Sequence, residues 1–293
     1  MLANLERPTA EAPGLRRIFA DSGLGYLANG LIGFIFSATG PVAIILAVGT
    51  RGGLSQTELA SWVFGVFFIN GLITIAMSWR YRMPLPMPIV MGMVAGVFLR
   101  FGLDLVRALH QDVAIAAPMV VVFLLLSAYP AIGKRIPPVI GALLVGALAI
   151  ALLGRFDAGA LGQFAFAQPV LQAPVWSAAA LFELVVPLAI TVLVVQNGQG
   201  VAVLKAAGHD APVNTIAVVS GIGAAHSAAV GAVSTCLTGP TNALLTSSGA
   251  RERQYNAALV FGSFGVLFGL MAPTFTGLML AAPEAFIMVL GGL

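Results

Sequence analysis

The chain has 293 residues, of which 59% are apolar and only 9% are Asp, Glu, Lys or Arg, against about 25% charged residues in an ordinary soluble domain. That composition excludes a soluble catalytic domain. The formal charge of +3 does not point to nucleic acid, because the basic residues are scattered singly through loops rather than gathered on one face.

Residues 1–24 read as a polar cytosolic tail before an uncleaved first span, since the first apolar stretch is too long for a signal-peptide core. Apolar runs bounded by charges, Gly and Pro then predict an all-α polytopic membrane protein. About ten crossings are expected, near 25–49, 57–79, 87–106, 114–130, 137–153, 176–197, 212–230, 232–247, 255–271 and 274–293. With the N-terminus cytoplasmic, Arg7, Arg16, Arg17, Arg80, Arg82, Lys134, Arg135, Lys205, Arg251 and Arg253 fall inside, and Arg51, Arg107 and Arg155 outside, as the positive-inside rule requires. The longest stretch expected outside the bilayer is 155–174, which would lie against the outer membrane surface.

In the first span, Thr39, Gly40 and Pro41 sit within an apolar run, and the same Thr-Gly-Pro recurs at Thr238, Gly239 and Pro240, followed by Thr241 and Asn242. The later copy predicts a short extended piece leading into a half-helix, whose free N–H groups and positive dipole end suit an anion. Two interrupted hydrophobic segments, one in each half of the chain, point to a transporter binding site. A simple proline kink is the alternative reading of either copy.

At the end of the sixth span, Gln196, Asn197 and Gln199 cluster between glycines. Amides can hold a carboxylate that an Asp or Glu would repel; an ordinary polar helix end is the alternative. Ionisable residues inside spans are costly and therefore functional candidates. Arg100 and Asp104, four apart, read as a structural pair. Glu183, His226 and Glu284 are candidates for proton coupling, with an interfacial position the competing reading. No phosphate loop, zinc-binding helix or nucleophile elbow occurs, so no enzyme is expected. A lone cysteine, Cys236, excludes an intrachain disulfide or a Cys-based metal cluster, and neither cofactor nor metal is expected.

The wording of several stretches is specific: Ala28-Asn-Gly30 through Thr39-Gly-Pro41 and on to Thr50, Pro86 through Asp104, Pro137-Pro-Val-Ile-Gly-Ala142, Gln196-Asn-Gly-Gln-Gly200 and Thr238-Gly-Pro-Thr-Asn242. Taken together, they resemble the benzoate:proton symporter family, BenE, over nearly the whole chain. The resemblance implies two inverted repeats of seven spans with a core domain (here 25–79 and 176–271) and a gate domain (87–153 and 274–293). Substrate would sit between half-helices of the third and tenth family spans. Positions 238–242 match the tenth span, 39–41 the first and 196–199 the eighth. It further implies proton-coupled symport of an aromatic carboxylate across a bacterial inner membrane, with a second copy of the chain as a candidate partner.

Two departures from the family pattern stand out. After Arg80-Tyr-Arg82 the chain passes through Met83-Pro-Leu85 directly into the segment matching the fifth family span, and it stops at Leu293 in what corresponds to the twelfth. The transporter fold is thus expected to be incomplete, about two spans having gone from the interior together with the half-helix that should face 238–242. The backbone of 234–239 is accordingly expected to lack a partner within the chain. A transport-incompetent protein, or one completed by a partner chain, is the alternative expectation.

Overall fold

The computed structural model describes residues 5–89, 94–129, 138–157, 159, 164–247 and 249–292; the side chains of Thr39, residues 94–101 and Gly291 lie outside that description. The expected loop charges Lys134 and Arg135, and the side chain of Arg100, therefore fall outside it.

Every regular element among the described residues is helical. In chain order they are α1 (Leu15–Asp21), α2 (Leu24–Arg51), α3 (Gln56–Tyr81), α4 (Val94–Gln111), α5 (Val113–Ala128), α6 (Pro138–Leu152), α7 (Ala178–Ala206), α8 (Val213–Ala228), α9 (Gly239–Leu245), α10 (Tyr255–Leu270), α11 (Ala272–Leu280) and α12 (Glu284–Gly292). Of these, α2, α3 and α7 are long and apolar enough to cross a bilayer, and Arg251–Leu270 with Ala272–Leu280 makes a fourth if the bent pair is one span. The expected span at 232–247 is helical only over α9 and the turn after it. The expected helix start at 87 is extended chain instead.

By contacts the chain divides into two compact units, residues 1–37, 60–92 and 167–272 in the first and 38–59, 93–166 and 273–293 in the second. In the first unit α3 and α10 pack backbone against backbone. A Cβ added at Gly71 would lie 2.7 Å from the Gly262 carbonyl oxygen, and one at Gly262 would lie 2.8 Å from that of Gly71. Only glycine at both positions allows this approach, a common device where lipid provides no hydrophobic drive between helices. Phe34 fills the adjoining space, its ring 5.7–6.2 Å from those of Phe67, Phe261, Phe264 and Phe268.

The N-terminal tail is fastened to the same unit. The Glu6 carboxylate accepts the Asn214 and Thr215 amides at 2.8 and 2.9 Å, capping α8 from a distant point in the sequence. The hydroxyl of Tyr81 donates to the Glu6 carbonyl at 2.8 Å, and Trp79 Nε1 donates to that of Pro13 at 2.9 Å.

In the second unit α5 packs on α6 and α12 on α4, around Ile115, Met119, Ile150, Phe286 and Val289. An ion pair of 2.6 Å between Arg155 and Asp112 closes one end. Over 164–177 the chain is without helix. That stretch exposes Phe164, Phe166, Leu171, Val175 and Trp176, of which Trp176 is of a type enriched at membrane interfaces.

Candidate functional site

The second Thr-Gly-Pro has the conformation its residues dictate. Thr238 is extended (φ −133°, ψ 139°), and Pro240 occupies the first turn of α9, where its missing N–H costs nothing. Thr238 Oγ1 donates to Thr241 Oγ1 at 2.9 Å, and Thr241 Oγ1 lies 2.8 Å from Ser37 Oγ on α2. A chain of three buried hydroxyls results.

The amide cluster of α7 meets this segment. The π turn at Thr191–Gln196 inserts a residue into the helical spacing, a device frequent at functional sites, and re-aims the side chains beyond it. Asn197 Oδ1 accepts the Leu237 amide at 2.8 Å while its Nδ2 donates to Ser220 Oγ at 3.3 Å. Asn242 Nδ2 donates to the Gly200 carbonyl at 3.4 Å. A Cβ at Gly239 would lie 3.2 Å from the Gln199 Cβ. Gln196, Asn197, Thr238, Gly239, Thr241 and Asn242 are buried, whereas Gln199 and Pro240 are exposed.

The first copy behaves differently. α2 runs unbroken from Leu24 to Arg51 with Pro41 inside it, so the expected interruption at Thr39, Gly40 and Pro41 does not form. Pro41 costs the helix one hydrogen bond, the one the Ser37 carbonyl would accept, and neighbouring elements tolerate such a loss in membrane helices. Gly40 and Pro41 belong to the second unit, and the Thr39 side chain lies outside the described residues.

The expectation of an unpartnered backbone at 234–239 is corrected as well. Residues 83–89, the short connection left after α3, run extended alongside it. Arg82 reverses the chain in the left-handed region (φ 51°). Ser78 Oγ then accepts the Leu85 amide at 3.1 Å, and Thr74 Oγ1 accepts that of Met87 at 2.8 Å. Ile89 forms an isolated antiparallel bridge with Thr235. Cys236 N donates to the Pro88 carbonyl at 3.1 Å, and Thr235 Oγ1 donates to that of Met87 at 2.8 Å. Hydroxylated side chains on α3 thus do the work of absent neighbours, since unpaired backbone in an apolar surrounding costs several kcal/mol.

Asn70 on α3 was not singled out from the sequence. It is buried, and neither its Nδ2 nor its Oδ1 has a partner; Asn242 Oδ1 is likewise buried and without one. Asn70, Ser37, Phe34, Phe67, Pro88 and Ile89 line a cavity of about 10 Å³, room for roughly one water-sized group. An uncharged polar residue inside an apolar run was the available signal.

The three residues expected to couple protons, Glu183, His226 and Glu284, are all exposed on the surface of the chain. His226 Nδ1 lies 2.8 Å from the Ile222 carbonyl. Asp104, by contrast, is buried, with Arg51 Nη2 at 3.5 Å and Arg107 Nη1 at 3.4 Å.

Residues 20–85 and 84–293 both match the family described as Benzoate membrane transport protein. The chain belongs to that family, BenE. Its match falls into two segments that meet at 84–85, within the extended connection that follows α3. Among curated relatives, the chain is 30% identical to the Inner membrane protein YdcO of Escherichia coli K12 over 261 residues, covering 86% of this chain and 64% of that protein. It is 23% identical to the Benzoate membrane transport protein of Acinetobacter baylyi over 336 aligned positions, 95% of this chain and 83% of that one. The chain therefore spans less than two thirds of the length of YdcO, and the longer alignment exceeds its 293 residues, so gaps open within it. No solved structure matches. BenE proteins form a family of membrane transporters, not of enzymes.

Proposed function

We propose that this chain carries an aromatic monocarboxylate of the benzoate type across a bacterial inner membrane, in symport with a proton. The observation that carries the reading is the uncharged polar surround of α9: the hydroxyls of Ser37, Thr238 and Thr241 and the unpartnered side-chain amide of Asn70, set beside the Phe34 cluster. Such groups donate hydrogen bonds without negative charge, and the rings offer an apolar wall. An anion needs more than the cavity of about 10 Å³ between Ser37 and Asn70, so binding involves widening it.

In this reading Gln196, Asn197, Gln199 and 238–242 surround the substrate, and Glu183, His226 or Glu284 takes the proton. Residues 25–79 and 176–271 make up the core and 87–153 and 274–293 the gate of an inverted-repeat fold with about ten crossings, N-terminus cytoplasmic. The loop charges support that orientation. Uptake of labelled benzoate into proteoliposomes under an inward proton gradient tests the reading. Absence of uptake, with a full-length relative active in parallel, overturns it.

The break in the family match at 84–85 favours a second reading. There the chain binds the anion but needs a partner chain to move it. Uptake that appears only on adding a second BenE protein would select that reading.

A further inference from the structure

A cavity of about 280 Å³ within the second unit is walled by Leu46, Leu280, Ile287 and Met288 and carries Arg51, Asp104 and Glu284 on its lining. Pockets for drug-sized ligands begin near 300 Å³, so this one suits a molecule of a single ring. Among the described residues Asp104 is the one buried carboxylate.

Arg51 reaches Asp104 through Nη2 at 3.5 Å and is 43% exposed on its side chain. A guanidinium has five N–H donors in a planar fork, so one side can hold an incoming carboxylate while the other stays near Asp104. Asp104 keeps a second cation, Arg107 at 3.4 Å, which does not line the cavity. Drawing Arg51 toward a ligand therefore does not strand a buried charge. Glu284, in the first turn of α12, opposes any anion there.

We propose that this cavity is a binding site for a small monocarboxylate, its charge on Arg51 and its ring against Leu46, Leu280, Ile287 and Met288. The inference rests on the transport reading above for the class of ligand. On the proposed topology Arg51 is external, and the acid reaches the cavity from that side.

The test is equilibrium binding of labelled benzoate, and of a panel of monocarboxylates, to the purified full-length chain in detergent. Arg51→Gln should weaken binding by about tenfold or more, the loss of a charge-assisted hydrogen bond. Glu284→Gln should tighten it severalfold. Arg107→Gln should leave it within about twofold, because that side chain does not reach the ligand. Met288→Trp fills the cavity and should remove the Arg51-dependent part of the binding while thermal stability holds, which covers the case that Arg51→Gln fails to fold. Wild-type affinity in both Arg51→Gln and Met288→Trp overturns the site, as does an equal loss in Arg107→Gln or no binding of any acid. Arg51-dependent binding of another monocarboxylate, with no benzoate binding or uptake, supports the site and overturns the benzoate reading. Wild-type benzoate uptake by Arg51→Gln and Met288→Trp does the reverse.

Discussion

Asn197 Oδ1 accepts the backbone amide of Leu237 at 2.8 Å with both residues buried. One side chain on α7 thereby satisfies the extended approach to α9 at a point where no sheet or helix supplies an acceptor. Asn197→Ala leaves that amide without a partner, at a cost of about 1–3 kcal/mol. The expected outcome is a lower melting temperature in detergent and faster hydrogen exchange at 236–238. Wild-type values for both would show that the contact holds nothing in place.

Asn70 poses the opposite case, since its amide has no partner to lose. Replacing it by the similarly sized leucine removes a buried, unsatisfied polar group, so stability should hold or rise by about 1 kcal/mol. If the amide serves the substrate, benzoate uptake should fall by about tenfold or more in the same variant. Asn242→Asp should also depress binding, because a new negative charge repels a carboxylate in a low-dielectric site. Full uptake by Asn70→Leu and Asn242→Asp would move the substrate elsewhere.

Periodicity and apolar length marked α2, α3 and α7 in the sequence, because each is a long run set off by charges or glycines. The extended segment before α9 was legible too, from its hydroxylated and β-branched residues followed by Gly239-Pro240. Pro41 was misread, since the same tripeptide stays helical when flanking turns hold it. The pairing of 87–89 with 235–236 was not legible at all. It depends on Thr74 and Ser78, which read as ordinary polar residues of an apolar helix until the connection folds back on them. Asn70 carries no charge, and an uncharged amide in an apolar run is a weaker signal than an ionisable group there.

Glu6 makes the tail sensitive to acid. Its partial burial raises the pKa, but the hydrogen bonds from Asn214 and Thr215 outweigh that and hold it below the usual carboxylate value. A depressed folded value means the stabilisation is fully present above the unfolded pKa of about 4.3 and is lost as pH falls through the lower, folded one. The carboxylate is accessible to solvent, so the effect is modest, on the order of 0.5 kcal/mol. Limited proteolysis of residues 5–14 should be slow at pH 7 and faster below pH of about 4. Glu6→Gln should cut faster at pH 7 and lose most of that pH dependence. Equal cutting of both proteins at pH 7 would remove Glu6 as the latch.

The shortened connection supports the strongest structural prediction. Thr235 Oγ1 donates to the carbonyls of Met87 at 2.8 Å and Pro88 at 3.3 Å, tying the chain that replaces the missing family segment to the approach of α9. Thr235→Val keeps the shape and removes the donor, leaving a buried carbonyl short of a partner at about 1–3 kcal/mol. Because 85–89 and 235–237 cover each other's backbone, their amides should exchange faster together, while those of α10 stay as they were. Ser234→Ala is the control, since the Ser234 hydroxyl bonds only the neighbouring Thr235 carbonyl at 3.3 Å, and it should leave both segments unchanged. Hydrogen exchange read by mass spectrometry in one detergent separates the two variants. Exchange in Thr235→Val that matches Ser234→Ala would mean that Thr74, Ser78 and the Cys236 amide suffice to hold 83–89, and that the Thr235 hydroxyl contributes nothing to covering the break.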